Sequence, residues 1–158
     1  MTDVKYSSSE YLEIWKTPFT EAAFPAVAPI FPPDNPKSST KDRFQFKVVL
    51  MPRGLGKYPG YVIDFVRAHV VLSYDESCAT NPNSHWAELV RNAPRSCAYV
   101  WHGSSLLRQY NGIGCEFEDE LKHYVILGGD SIVEVLTYEA PTVTSFDGPQ
   151  IFTIQHSF

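Results

Sequence analysis

Hydrophobic and polar residues alternate along several short stretches of the chain, which is the period-two pattern of half-buried β-strands. In the clearest stretch, 44–50, every second position holds Phe, Phe, Val or Leu. Further strands are predicted at 69–74, 98–101, 115–117, 122–127, 132–138 and 151–158. Short apolar runs separated by glycine and proline turns are typical of a β-sandwich or barrel. The sequence therefore predicts an all-β fold, a single antiparallel β-sandwich or jelly-roll-like domain of about seven or eight strands.

Helical structure is predicted only in short pieces. Three serines and a glutamate precede apolar residues over 7–15, which is the pattern of a capped helical turn. Single helical turns are also predicted over 63–67 and 86–90. The polar stretch 141–149 is predicted to be a loop. Residues 128–130, Gly-Gly-Asp, are predicted to form a tight turn, because glycine tolerates positive φ.

Six of the chain's 12 prolines lie between residues 18 and 36. Each proline removes a backbone donor and favours an extended residue before it, so neither a helix nor a central strand is expected there. The stretch also carries large apolar side chains, unlike a disordered linker. We expect an extended arm over residues 1–42, followed by a β-domain over 43–158. The arm is expected to lie against an apolar surface, either of its own domain or of a neighbour. In the second case four side chains are predicted to contact the neighbouring subunit: Phe19, Phe24, Ile30 and Phe31.

The net charge of −5 and the absence of a Lys/Arg block argue against a strongly basic tail that binds nucleic acid. Positive charge does gather near the end of the predicted arm. There the candidate contacts with RNA or another anion are Lys37, Lys41, Arg43 and Lys47. The alternative interpretation is an ordinary solvated surface. The chain shows neither a long apolar run nor a signal peptide, so we expect an intracellular protein made in the cytoplasm, with no membrane partner.

The residues that could carry chemistry form no specific motif. The three cysteines match no zinc or redox spacing and are expected to be buried, reduced thiols. The five histidines show no metal-ligand spacing, so no metal and no cofactor are predicted. The stretch 102–106, His-Gly-Ser-Ser-Leu, lacks the G-x-S-x-G elbow of serine hydrolases. No catalytic residue is predicted. The alternative is acid–base chemistry by His102 or His123 with a carboxylate, Glu116 or Asp64.

The order of these features resembles the small single-jelly-roll coat proteins of icosahedral positive-strand RNA viruses, in particular the tymovirus-like ones. In that family an arm with proline and aromatic residues precedes the first strand, as 24–33 precedes 44–50 here. A turn with aromatic, Arg and His residues leads into the next strand, as in 64–74, and an alternating strand closes the chain, as in 150–158. The resemblance implies a self-assembling coat subunit that forms homo-oligomers through its arm, has RNA as a candidate partner and belongs to a virion.

Two other hypotheses follow from the residues. One is a small-molecule enzyme or binder, such as an isomerase, cyclase or dehydratase, with an aromatic-lined β-barrel pocket. It predicts a deep pocket that holds one of the histidines. The other is a protein-binding module without catalysis. The native mass separates these hypotheses best, because a shell and a small enzyme oligomer differ in mass by more than about tenfold.

Overall fold

A computed structural model describes residues 10–19, 25–30, 45–51, 59–75, 85–111, 121–129 and 131–147. These residues form nine strands and two short helices. In chain order they are β1 (Tyr11–Ile14), β2 (Ala26–Ile30), β3 (Phe46–Met51), β4 (Gly60–Phe65), β5 (Ala68–Asp75), α1 (His85–Asn92), β6 (Ala98–His102), α2 (Ser105–Asn111), β7 (Lys122–Leu127), β8 (Ser131–Thr137) and β9 (Thr142–Phe146). All of the strand pairs are antiparallel, which confirms the predicted all-β, sandwich-like fold.

The strands are divided between two sheets. The five-stranded sheet has the order β1-β6-β7-β8-β5, and the four-stranded sheet has the order β2-β3-β4-β9. In the five-stranded sheet β6, β7 and β8 are successive neighbours, and β5 lies beside β8, which is a Greek-key order. The strands β1 and β2 come from the segment predicted to be an arm, and they pair with β6 and β3.

One bent ribbon links the two sheets. The pair β4–β9 in the four-stranded sheet continues as the pair β5–β8 in the five-stranded sheet, from Gly60 opposite Phe146 to Asp75 opposite Ser131. At the corner the Thr137 hydroxyl donates a hydrogen bond to the carbonyl oxygen of Arg67, 2.9 Å away. A bulge in β5 just after the corner adds the local twist that such a bend requires.

Apolar side chains of both sheets meet in the main core. Phe46, Val48 and Leu50 of β3 are all buried in it, as the alternation over 44–50 predicted. The facing side chains come from the five-stranded sheet and include Ala98, Tyr124, Ile126, Val133 and Val135. The other face of the five-stranded sheet packs against the helices, with Leu89 of α1 in one cluster and Leu107 of α2 in another. This second face carries the candidate site.

Three predictions of local structure are wrong. The described part of 7–15 forms β1 instead of a helical turn, because alternating apolar residues there also suit a strand and β6 supplies the backbone partner. Residues up to Phe65 belong to β4, so the predicted helical turn over 63–67 is reduced to Val66 and Arg67. The predicted loop over 141–149 contains β9, whose Thr-rich sequence becomes a strand by pairing with β4.

Other local predictions are confirmed. A helix occupies the position of the turn predicted at 86–90, and strands occupy those predicted at 98–101, 122–127 and 132–138. The glycine turn is closed by a hydrogen bond from the Gly128 amide to the Ser131 carbonyl, 2.8 Å long. Helix α2 was not predicted. The predicted strands 115–117 and 151–158 lie outside the described residues.

Candidate functional site

A chain of four polar side chains, three of them buried and the fourth, Tyr74, half-buried, lies on the helix-covered face of the five-stranded sheet. The Ser104 hydroxyl lies 2.8 Å from Nδ1 of His123, and Nε2 of His123 lies 2.9 Å from a carboxylate oxygen of Glu134. The Tyr74 hydroxyl donates a hydrogen bond to the other carboxylate oxygen. Ser104 is 0%, His123 1% and Glu134 7% exposed. We call these four residues the polar chain.

Strand register brings three members of the polar chain together. His123 on β7 lies opposite Leu136, two residues beyond Glu134 on β8, so His123 and Glu134 are diagonal neighbours on one face. Tyr74 on β5 lies opposite Ile132, and this places it diagonal to Glu134 from the other side. The glutamate on the middle strand therefore meets one donor from each neighbouring strand.

The fourth member, Ser104, is placed by the junction between β6 and α2. Gly103 directly follows β6 and has a φ of 68°, a backbone conformation that glycine adopts more readily than other residues. Ser104 follows as the N-cap of α2, because its hydroxyl oxygen accepts the Leu107 amide at 3.1 Å. The same hydroxyl therefore caps the helix and reaches the imidazole of His123.

The donors and acceptors of the polar chain satisfy one another. The Tyr74 hydroxyl and Nε2 of His123 both lie against the Glu134 carboxylate, and at Nδ1 the Ser104 hydroxyl donates to a neutral ring or accepts from a protonated one. The indole of Trp101 stacks on the His123 ring, with centroids 5.0 Å apart and planes 19° apart. Within the described part of the chain no buried side-chain nitrogen or oxygen lacks a hydrogen-bond partner.

The residue types Ser, His and Glu are also those of a hydrolase triad, but the arrangement differs from the catalytic one. In that triad serine meets Nε2 and the acid meets Nδ1, whereas here serine meets Nδ1 and the glutamate Nε2. The serine is also fully buried, and its hydroxyl oxygen accepts a hydrogen bond from the Leu107 amide of α2. This geometry favours a structural role that ties α2, β7, β8 and β5 together.

The structure places the other predicted acid–base residues apart from the polar chain. His102 is partly exposed, lies 2.7 Å from a carboxylate oxygen of Glu13 and stacks on Tyr11 at 4.5 Å. Asp64 belongs to the four-stranded sheet, where it pairs with Lys47 at 3.5 Å. Each of these groups therefore has its own surface partner. Glu116, the remaining predicted carboxylate, lies outside the described residues.

The predicted contact residues of the arm and of the basic patch are only partly described. Phe19 was predicted to contact a neighbouring subunit, whereas the structure buries it to 2% exposure in its own core, beside Trp15 and Tyr61. Its hydrophobic surface is therefore already covered. The backbone of Ile30 lies in β2. Lys47 forms the ion pair with Asp64. The other predicted contacts lie outside the described residues: Phe24, Phe31, Lys37, Lys41 and Arg43.

Sequence reasoning missed the partner of His123. The signal was present, since Glu134 stands alone among apolar residues in 132–136, and a charge in a buried strand requires a hydrogen-bond partner. What the sequence did not show is the register, which decides that this partner is a histidine. Tyr74, at the end of its strand, gave no comparable signal.

Cys97 is the buried thiol of the described residues. Its Sγ lies 3.2 Å from the Phe19 carbonyl oxygen, and burial raises its pKa from 9.0 to about 11. Burial also raises the pKa of Tyr99 and of Tyr124. In the part of the chain that the structure describes, no cluster of three His, Cys, Asp or Glu residues has the geometry of a metal site. Neither of its helices has the length and hydrophobicity to cross a membrane.

Comparison with known proteins adds no relative to this picture. No protein-family model, curated protein or solved structure matches the chain. The resemblance to tymovirus-like coat proteins therefore stays a prediction from the sequence pattern.

Proposed function

We propose that this chain is a non-catalytic structural subunit that assembles with copies of itself, of the coat-protein type that its sequence resembles. The observation that carries the non-catalytic part of the proposal is the closed polar chain. The buried imidazole of His123 has both ring nitrogens occupied, by Ser104 and Glu134. Each buried polar atom of that chain already has a hydrogen-bond partner within the protein.

The other described imidazoles also argue against the enzyme hypothesis. That hypothesis requires a histidine at the bottom of a pocket, with an acid beside it. His69 is exposed, and its ring meets the edge of Tyr138 at 4.8 Å. His102 pairs with Glu13 at the surface. Each of them therefore has an ordinary surface environment.

The architecture suits assembly because a sandwich of open sheets ends in outer strands. The outer strands of the described sheets are β1, β5, β2 and β9, and such strands present backbone donors and acceptors that a second chain can pair with. Large apolar side chains are also exposed on the described surface: Tyr11, Val66, Leu72 and Tyr110. Since Phe19 is buried within its own subunit, assembly contacts have to come from other residues of the arm or from the sandwich itself.

Light scattering coupled to size exclusion tests the proposal. The monomer mass is 17.8 kDa. We expect the purified chain to elute as an assembly whose mass is a multiple of this value, and electron microscopy to show particles if the assembly is a shell. A single species at the monomer mass over a wide concentration range would refute self-assembly.

A second candidate is catalysis by Ser104, and the contact between its hydroxyl and the His123–Glu134 pair favours it. In that case the hydroxyl proton would pass to His123 Nδ1 while Oγ attacks an electrophile. A fluorophosphonate probe tests this step, since Oγ forms the bond to phosphorus and fluoride leaves. Labelling of the wild type that is lost in Ser104→Ala and retained in Ser105→Ala supports catalysis. No labelling supports the structural proposal.

A further inference from the structure

We propose that two copies of this chain pair through β5, so that their five-stranded sheets join into one antiparallel sheet across a two-fold axis. The inference rests on the proposed function and names the surface that carries it. Strand β5 is an outer strand and, among the described strands, pairs with β8 alone. At eight residues it is also the longest of the described strands.

The four outer strands differ in how they are protected against pairing. Natural sheets protect their edges with short strands, prolines and charged side chains. Strand β1 has four residues, including the exposed Glu13, and β2 contains Pro29. Strand β9 is short and presents Thr and Ser side chains. Strand β5 is long, contains no proline, and has its one carboxylate, Asp75, at its end, so it is the least protected of these edges.

The sequence of β5 is complementary to itself. When two copies pair antiparallel about Leu72, each Leu72 lies opposite its equivalent, and Val70 lies opposite Tyr74. His69 then lies opposite Asp75, an imidazole beside a carboxylate. Leu72 is 40% exposed, so a second copy would cover an apolar side chain that the subunit leaves open. The bulge lies between Ala68 and Val70, at the corner end of the strand.

A two-fold axis fits this contact, because both copies use the same strand and the interface closes on itself. One strand pair buries little area by the standard of stable interfaces, so we expect association that depends on concentration. Larger assemblies then need a second contact.

Sedimentation velocity on Leu72→Lys tests the inference, with Val66→Lys as the matched control. Both side chains are large, apolar and exposed, at 40% and 44%, but Val66 lies in the turn before β5. Two lysines at the two-fold axis would repel each other, so we expect Leu72→Lys to weaken association by at least about tenfold. Val66→Lys should associate like the wild type. Near-UV circular dichroism checks that both variants are folded.

Amide hydrogen exchange gives the second readout. On raising the wild-type concentration, we expect new protection at those β5 amides that point away from β8, and none in Leu72→Lys. Oligomers that form without this protection, or that Leu72→Lys leaves intact, overturn pairing through β5 while self-assembly stands. A wild type that is monomeric at every concentration overturns both proposals.

Discussion

Replacing Ser104 by alanine removes one hydroxyl that has two partners in the interior. Its oxygen accepts the Leu107 amide at the start of α2, and the same hydroxyl forms a hydrogen bond with Nδ1 of His123. Ser104 is 0% exposed, so water cannot simply take the place of the hydroxyl. Both partners then lose a hydrogen bond in a buried environment, and we expect a clear loss of stability.

The magnitude follows from these two contacts. Loss of an N-cap serine costs about 1 kcal/mol. A buried polar group left without its hydrogen-bond partner, here Nδ1 of His123, costs about 1–3 kcal/mol. The free energy of unfolding of Ser104→Ala should therefore be lower than that of the wild type by about 2–4 kcal/mol. In a domain of this size each kcal/mol lowers the melting temperature by roughly 2–4 °C.

Urea denaturation followed by tryptophan fluorescence measures this difference, and Trp101 reports directly because it stacks on His123. Ser105→Ala is the matched control, since Ser105 is exposed and next in sequence, and its effect should stay within about 0.5 kcal/mol. Combining Ser104→Ala with Glu134→Gln should cost less than the sum of the single changes, because the polar chain is one network. If Ser104→Ala matches its control, the polar chain does not stabilise the fold as argued.

Two further predictions concern buried side chains. Phe19→Ala should lower the free energy of unfolding by about 3–5 kcal/mol in denaturant titrations, and leave the association measured by sedimentation unchanged, because the ring packs in its own subunit. A loss of association with unchanged stability would contradict this placement. Stability should also fall with alkaline pH. The pKa of Cys97 is raised from 9.0 to about 11, so its contribution is full below pH 9 and lost as the pH approaches 11. It amounts to at most about 3 kcal/mol. Cys97→Ala should flatten the pH profile of unfolding between these values, and a slope equal to that of the wild type would count against the assignment.

Local sequence pattern was enough to predict several elements. Strand β3 was visible because the side chains of a strand alternate between faces, and one of its faces packs in the core. The turn at 128–130 was visible because two glycines adopt turn conformations readily. Helix α1 was predictable from the residue pattern of 86–90 and from Pro94, which follows it. In each case the signal lies within a few residues, so the sequence carries it directly.

Other elements depend on partners that are distant in the chain. The residues of β1 and β9 suit more than one local structure, and their pairing with β6 and β4 makes them strands. Phe19 stands in a proline-rich stretch that resembles an extended arm, yet its ring fits a space bounded by Trp15 and Tyr61. Tertiary packing overrides weak local preferences of this kind.

The sequence by itself determined the all-β class, the positions of the clearest strands and the absence of a recognisable catalytic motif, because these follow from the order of residue types. It also showed His123 and Ser104 without showing their relation. Only the tertiary structure decided that His123, Ser104 and Glu134 form one buried chain. The physical reason is register: a shift of one residue between β7 and β8 would turn the side chains of one strand to the opposite face and separate the imidazole from its carboxylate.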